Sequence, residues 1–287
     1  MKVLGSKIRR YRMISQRSQT ELARGICTQA TVSLIESRGQ CTNVKILGRI
    51  CQRLNLKLSQ VVVNHRTCRQ LLMTEKQLLS RDYEAVRNSL KSMIPKRFDY
   101  TIDKLRYYCY FGWLEFRFLK KDDEALYYFN RGLAVKSIQF SLVYRAWCEL
   151  GISRIYLAEQ KTTRMNSFLE ASLYDLKMID LPFATSHFYL AVQIEIGIIR
   201  DYQKLGAYRL SNQIAKTLTN RLRRDHSMYR LNSIYLLMAK NNYCLKRHSE
   251  ALTALNRSRT LSHIYQDQRF LDRINLLQTS FENQVLD

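Results

Sequence analysis

The chain has 287 residues, of which 46% are hydrophobic and 25% are charged. That hydrophobic fraction excludes an intrinsically disordered chain, and the length suits one large domain or two modest ones. The formal net charge is +23, and residues 1–66 hold 13 Lys and Arg against two acids, a net charge of +11. Such a dense positive charge favours a polyanionic partner, with solubility alone as the alternative.

The cysteines and the lack of long apolar segments predict the cellular compartment of the protein. The seven cysteines include no Cys-x-x-Cys pair and are odd in number, which is typical of free thiols in a reducing compartment. The first residues lack the apolar core of a signal peptide, and the longest uncharged stretch, residues 181–194, is too short to cross a bilayer. We therefore expect a cytoplasmic protein without a membrane partner.

Few helix breakers interrupt the sequence, which contains only two prolines and nine glycines. The apolar residues recur with helical spacing, and no alternating strand pattern is bounded by turn residues. The sequence therefore predicts an all-α fold. Its first part, residues 3–64, predicts five helices, and the first of these spans residues 4–14 with Leu4, Ile8 and Tyr11 on its buried side.

Residues 18–36 predict two short helices joined by a tight turn. Ser18 is placed to cap the first helix, and Glu21 three residues later completes a capping box. Gly25 supplies the turn, because glycine adopts a left-handed backbone at little steric cost. Thr28 is placed to cap the second helix. Two helices around such a turn form a helix-turn-helix, whose second helix can lie in a DNA major groove.

A fourth helix is predicted over residues 44–54, where apolar residues recur at helical spacing and Thr42 or Asn43 precedes as a cap. A short fifth helix is predicted over residues 59–63. The combined pattern is similar to the Xre/Cro/phage-repressor helix-turn-helix family over residues 2–63. The matching strings are Gly5-x-x-Ile8-Arg9-x-x-Arg12, Ser18-Gln19-x-Glu21-Leu22-Ala23, Val32-Ser33-x-Ile35-Glu36 and Leu47-x-x-Ile50-x-x-x-Leu54.

The resemblance implies how the third helix meets DNA. It places bases against Gln29, Ala30, Thr31 and Leu34, with Thr28 and Ser33 alongside. A Gln amide can pair with adenine, whereas Leu34 can only touch a thymine methyl. The resemblance also assigns phosphate contacts to Gln19, Arg38 and Lys45. Two alternatives stay open: Thr28 acts only as a helix cap, and Arg12 and Glu36 form a pair that supports the fold. Many family members carry a proline where this chain has Thr42, so the loop path there is a departure.

From residue 67 onward, helix-opening clusters recur with Glu84, Glu124 and Glu250 at equivalent places. The first spacing is 40 residues and the second is 126, which equals three steps of 42. That period favours helix-pair repeats that stack into a superhelix. We therefore predict an N-terminal five-helix helix-turn-helix domain over residues 1–66. A right-handed superhelix of about five degenerate tetratricopeptide-like pairs follows over residues 67–287. The glycines inside the predicted helices indicate close helix packing: Gly112, Gly132, Gly151 and Gly197.

The string Gly25-Ile-Cys-Thr-Gln29 and the order of helix-turn-helix and repeats resemble the Rgg/PlcR/PrgX group of peptide-sensing regulators. The resemblance implies a homodimer on a palindromic operator in double-stranded DNA, and a short signalling peptide bound on the concave face of the repeats. Amide and guanidinium groups could clamp the peptide backbone, and phenol rings could line pockets for its side chains. Ordinary surface polarity or core packing is the alternative for each candidate. The candidates are Tyr110, Arg145, Gln193, Asn232, Tyr235 and Asn242.

Motifs for catalysis are absent from the sequence. It contains no phosphate-binding Gly-x-x-x-x-Gly-Lys loop, no His-Glu-x-x-His string, no nucleophile elbow and no Cys/His set at zinc spacing. We expect no catalytic residues, no metal and no cofactor, and hence no enzyme. The leading hypothesis is a quorum-sensing transcription regulator switched by a peptide. The alternatives are a scaffold that docks a partner protein, and a prophage-type repressor without a peptide ligand.

Overall fold

The computed structural model describes residues 3–56, 61, 65–98, 101–136, 141–179 and 185–283. Within these ranges the backbone forms fifteen α-helices and no β-strand, so the predicted all-α fold is confirmed. None of the described helices is long and apolar enough to cross a membrane. The helices are α1 (Gly5–Ile14), α2 (Gln19–Ala23), α3 (Gln29–Arg38), α4 (Val44–Arg53), α5 (His65–Ser80), α6 (Tyr83–Lys91), α7 (Thr101–Leu114), α8 (Asp122–Leu133), α9 (Leu142–Ala158), α10 (Thr162–Lys177), α11 (Ser186–Lys204), α12 (Tyr208–Arg224), α13 (Leu231–Cys244), α14 (His248–Ile264) and α15 (Gln268–Asn283).

The chain divides into two compact units, Met1–Asp103 and Lys104–Asp287. The first unit holds α1 to α6, and the second holds α8 to α15 with most of α7. The division between a DNA-binding domain and a repeat domain at residue 66 stays a prediction. The helix pair that follows that point, α5 and α6, lies in the first unit.

The N-terminal helices follow the sequence pattern closely. α1 and α4 begin and end within one residue of their predicted bounds, and α2 and α3 are the two helices predicted over residues 18–36, with α3 extending two residues further. The apolar sides of α1 to α4 form one core that includes Ile8, Leu22, Val32 and Leu47. The helix predicted over residues 59–63 lies outside the described residues, apart from the buried Val61.

Three predicted helix caps are present in the first unit. The Ser18 hydroxyl accepts from the Glu21 amide at 3.1 Å, and the Ser18 amide donates to the Glu21 carboxylate at 2.6 Å. The Thr28 hydroxyl accepts from the Thr31 amide at 3.3 Å. Asn43, rather than Thr42, caps α4. These bonds satisfy amides that have no partner inside a helix.

The second unit consists of four helix pairs and a final helix: α7 with α8, α9 with α10, α11 with α12, α13 with α14, and then α15. The second helices of these pairs begin at residues 122, 162, 208 and 248. Their steps are therefore 40, 46 and 40 residues, so the even step of 42 is only an average. With α5 and α6 in the first unit, the described residues contain five helix pairs, as predicted.

Two of the helix glycines pack against one aromatic ring. A Cβ atom at Gly112 would lie 2.5 Å from the Phe129 ring, and one at Gly151 would lie 2.3 Å from it. Phe129 is fully buried and meets Trp113 edge-on, with ring centroids 5.7 Å apart. The predicted close packing at these glycines is confirmed, because any side chain there would overlap Phe129.

Candidate functional site

The turn between α2 and α3 is fixed by backbone conformation and by an arginine from α4. Gly25 adopts a left-handed φ of +69°, which a side chain would strain. The Arg53 guanidinium donates to the carbonyls of Leu22, at 3.0 Å, and Arg24 at the end of α2. A cation at this end of a helix also complements its dipole. The angle between the two helices is thus held by groups outside the turn.

α3 is anchored from α1 by a glycine and an ion pair. A Cβ atom at Gly5 would lie 2.1 Å from the Ile35 carbonyl oxygen, so only glycine permits this approach of α1 and α3. Arg12 donates to both carboxylate oxygens of Glu36, at 2.7 and 2.9 Å. The Arg12–Glu36 pair that was expected to support the fold is therefore present. Such a bidentate pair fixes orientation as well as distance.

A chain of side-chain hydrogen bonds runs from this ion pair to the start of α3. The Gln19 amide nitrogen donates to Glu36 at 2.9 Å, and the Gln29 amide nitrogen donates to the Gln19 amide oxygen at 2.7 Å. Burial by itself would raise the pKa of Glu36, but hydrogen bonds from Arg12 and Gln19 outweigh it and lower that pKa. The carboxylate thus stays charged and orients Gln19, which in turn orients Gln29.

The other DNA-contact candidates lie on the solvent side of the same region. Gln29, Ala30, Arg38 and Lys45 are exposed, and Leu34 is 46% exposed. Thr31 and Ser33 are partly buried, and the hydroxyls of Thr28 and Thr31 hydrogen-bond at 2.8 Å. The sequence interpretation gave Gln19 a phosphate contact and missed its role between Glu36 and Gln29. All of these DNA contacts stay predictions.

Two of the peptide candidates are buried tyrosines. Tyr110 on α7 is fully buried and packs edge-on against Tyr144 and Trp147 of α9. Tyr235 on α13 is 5% exposed, and its hydroxyl accepts from Arg223 at 2.7 Å. In this arrangement both rings serve helix packing. The first helices of the four pairs, α7, α9, α11 and α13, are called the inner helices, and the second, α8, α10, α12 and α14, the outer helices. A peptide would reach the two rings only if the inner helices separated.

Asn242 belongs to a buried amide network that joins three helices. Asn212 of α12 donates to the Asn242 amide oxygen at 2.6 Å, and Asn241 donates to Asn212 at 3.0 Å. Gln203 of α11 donates to Asn241 at 2.6 Å, and Ser211 receives a further bond from Asn241 at 2.8 Å. Buried amides in such a network fix the register of α11, α12 and α13.

Asn232 also hydrogen-bonds to a neighbouring helix, whereas two further candidates, Gln193 and Arg145, remain partly exposed to solvent. Asn232 donates to Ser262 of α14 at 3.3 Å. Gln193 on α11 is half-buried and donates to the Tyr229 hydroxyl at 2.8 Å. Arg145 on α9 is half-buried too, and it is engaged with the Asp175 carboxylate and a backbone carbonyl. These three positions stay predictions as peptide contacts.

The sequence interpretation missed a set of buried acids in the second unit. Glu149 and Glu195 occupy equivalent places on α9 and α11, and each side chain is more than nine-tenths buried. A repeated string could have revealed them, because Glu-x-Gly-Ile-x-Arg-x-Tyr occurs at residues 149–156 and again at 195–202. Across the described part of the chain, no three His, Cys, Asp or Glu side chains are placed to hold a metal ion.

Comparison with solved structures finds proteins of the same fold. PlcR of Bacillus thuringiensis, solved with the peptide PapR7 and DNA, is 17% identical, with a TM-score of 0.57 over 96% of this chain and 99% of that one. The apo competence regulator ComR of Streptococcus vestibularis is 10% identical, with a TM-score of 0.53 over 97% of each chain. The pheromone receptor Rgg2 of Streptococcus dysgalactiae is 13% identical, with a TM-score of 0.51 over 97% and 100%.

This chain has the fold of these three proteins. The match extends over nearly the full length of each chain, so the order of the helices agrees from end to end. No protein-family model and no curated protein matches the sequence. At these low identities the likeness shows the fold alone, and the function has to be argued from the residues.

Proposed function

We propose that this chain is a cytoplasmic transcription regulator that binds operator DNA through α3 and is switched by a short peptide bound by its repeat unit. The observation that carries the proposal is the exposed start of α3, where Gln29 donates to Gln19 and Gln19 is oriented by Glu36. The fold supports it, since PlcR shares this fold and its structure contains both a peptide and DNA.

The hydrogen-bond chain leaves Gln29 ready to read a base. One amide hydrogen of Gln29 is used by Gln19, which leaves its second hydrogen and its oxygen toward solvent. Adenine offers an acceptor and a donor side by side in the major groove, and that pair matches the free groups of Gln29. A single α3 reads one half-site, so we expect a homodimer on a palindromic operator.

The DNA part of the proposal is tested by selecting preferred duplexes from a random pool and measuring binding by mobility shift. We expect Gln29→Ala to lose about 1–3 kcal/mol of discrimination between the selected duplex and one with the adenine replaced. Gln40→Ala is the matched control, because Gln40 is an exposed glutamine just beyond α3. A protein that selects no duplex, or a Gln29→Ala variant with unchanged preference, contradicts base reading by α3 and favours the scaffold alternative.

For the peptide, we propose that Gln193 of α11 and Tyr229, in the turn before α13, form part of the binding surface. Both are partly exposed, and Tyr189 packs against Tyr229 with ring centroids 4.7 Å apart. An amide beside two phenol rings can bond a peptide backbone and bury an apolar side chain at once. The peptide then acts by favouring one arrangement of the dimer over another.

Calorimetry against a library of short synthetic peptides tests this part. We expect at least one peptide to bind, to change the affinity for the selected duplex, and to bind more weakly to Gln193→Ala. Gln268→Ala is the control, since Gln268 is an exposed glutamine on α15, outside the elements that carry Gln193 and Tyr229. If no peptide binds while the duplex is still selected, the prophage-type repressor becomes the better description.

A further inference from the structure

The solvent face of α12 carries a straight row of cations and amides. Arg209, Gln213, Lys216, Asn220 and Arg223 are all exposed. They recur every three or four residues, so they lie along one line of the helix. Residues seven apart in a helix are about 10.5 Å apart along its axis, which makes the row about 21 Å long.

The two neighbouring outer helices show that the fold does not require this charge. α10 and α14 have the same place in their helix pairs as α12, and the five equivalent positions of each are also exposed. Those of α10 carry one acid and one cation, and those of α14 carry no Lys or Arg. The equivalent residues are Thr163, Ser167, Glu170, Tyr174 and Lys177 on α10, and Ser249, Thr253, Asn256, Thr260 and His263 on α14.

The charge of the row is not neutralised within the described structure. α12 contains five Lys and Arg and no acid, which is half of the net charge of +10 carried by residues 104–287. Arg221, on another face, pairs with Glu195, and Arg224 lies 3.7 Å from Asp225. No carboxylate of the described residues forms an ion pair with the three cations of the row. Arg223 donates to the Tyr235 hydroxyl, a neutral group that leaves its charge uncompensated.

We propose that this face of α12 is a nucleic-acid contact surface that binds the phosphate backbone of duplex DNA without reading its sequence. A duplex presents about one negative charge per 1.7 Å of its axis, so a 21 Å row faces many phosphates at once. Cations supply the attraction, and the two interleaved amides donate hydrogen bonds to phosphate oxygens. A small anion would need donors that converge on one point, whereas these donors are spread along a line.

The test is the salt dependence of binding between the full-length chain and a duplex of random sequence. Each lost phosphate contact reduces the slope of log affinity against log salt by about 0.9. We therefore expect the triple variant R209Q/K216Q/R223Q to have a slope shallower by about 2 to 3 and a several-fold weaker affinity at low salt. The control K136Q/R164Q/K240Q removes three exposed cations that lie outside α12 and the same total charge, and should keep the wild-type slope.

Equal slopes for the two triple variants, with helix content and melting temperature unchanged, would overturn the proposal. So would a row variant that loses binding to polyglutamate but keeps its slope on DNA, because the partner would then be an acidic protein. A failure of this proposal can be told apart from a failure of base reading by α3. Gln29→Ala changes the preference among duplexes, whereas the row variant changes the slope on every duplex.

Discussion

Two neighbouring helix pairs of the second unit, α9–α10 and α11–α12, are built on the same frame and differ in how they neutralise a buried acid. The sequence of the second pair aligns with that of the first when it is shifted by 46 residues. Glu149 and Gly151 of the first pair correspond to Glu195 and Gly197 of the second. The frame thus keeps a buried glutamate on the inner helix in both pairs.

The cation comes from different helices in the two pairs. In α11–α12, Arg221 of the outer helix reaches Glu195 at 2.8 Å. In α9–α10 the position equivalent to Arg221 is Asp175, and the cation is Arg145 of the inner helix, 3.1 Å from Asp175 and 3.8 Å from Glu149. One guanidinium there faces two carboxylates, so with both acids ionised this cluster would hold one negative charge more than the pair of Glu195 and Arg221.

The pKa of Glu149 reflects its burial and the second carboxylate beside it. Burial raises the pKa of Glu149, the neighbouring Asp175 adds to the rise, and Arg145 only partly opposes it, so that the pKa is about 8. One carboxylate oxygen of Glu149 is buried without a hydrogen-bond partner. Burial raises the pKa of Glu195 as well, but there Arg221 opposes the rise by its charge and by a hydrogen bond, and no second carboxylate adds to it. The same repeated frame thus gives one buried acid a cation of its own and makes the other share its cation with a second acid.

The largest effect is expected from removing the cation of the balanced pair. Arg221→Met leaves the buried Glu195 without its partner. Breaking a fully buried ion pair costs about 3–5 kcal/mol, and because 31% of the Arg221 side chain is exposed we expect the lower end, about 3 kcal/mol. The free energy of unfolding, measured with urea, should fall by that amount at neutral pH. The double variant Arg221→Met/Glu195→Leu should recover most of the loss, because an apolar pair needs no charge compensation. Equal losses in the single and double variants would show that packing, not charge, makes Arg221 important.

A smaller effect is expected from pH in the unbalanced pair. The folded pKa of Glu149 is about 8, above the ordinary value of 4.5. The folded state therefore keeps a proton that the unfolded state releases, and this stabilisation is full below pH 4.5 and lost as pH rises through 8. Relative to Glu149→Gln, the wild-type free energy of unfolding should fall between those values by at most about 1.4 kcal/mol per pH unit.

The control for this titration is Glu250→Gln, at an exposed position of α14. It should follow the wild-type pH dependence, whereas Glu149→Gln should have a flatter one. Parallel curves for wild type and Glu149→Gln would mean that Glu149 is charged at neutral pH, and the contrast between the two helix pairs would then disappear.

In the first unit the helix caps could be predicted from the sequence, because they depend on residues close together in the chain. Ser18, Glu21 and Thr28 act on amides within three residues of themselves, so their capping roles follow from spacing alone. The role of Gln19 does not, because its partner Glu36 is 17 residues away and reaches it only through the fold. The exposure of Gln29 was predictable, and the group that orients it was not.

In the second unit the helix pairs could be predicted from the sequence, but the hydrogen bonds between their side chains could not. Repeated Glu-Ala steps gave the helix pairs, and the glycines indicated where helices approach each other. Asn232 and Asn242 show the limit, because an amide that clamps a peptide and one that bonds a neighbouring helix look the same in a sequence. Their bonds here run to helices about 30 residues away.

The smallest expected effect compares the two glycines of the repeated string. A Cβ atom at Gly151 would overlap Phe129, a fully buried ring that also contacts Gly112 and therefore has no room to shift. At Gly197 the atoms met are the ends of the Arg154 and Leu150 side chains at 2.9 Å, and the end of a flexible side chain shifts at less cost than a ring packed on both faces, although Arg154 stays bonded to Asp201 at 2.6 Å. Alanine gains about 1 kcal/mol of helix propensity at either position, whereas overpacking costs about 1–3 kcal/mol. We therefore expect Gly151→Ala to lower the melting temperature and Gly197→Ala to leave it nearly unchanged. Equal shifts would mean that the second pair packs as tightly as the first, and that the two pairs differ only in their charges.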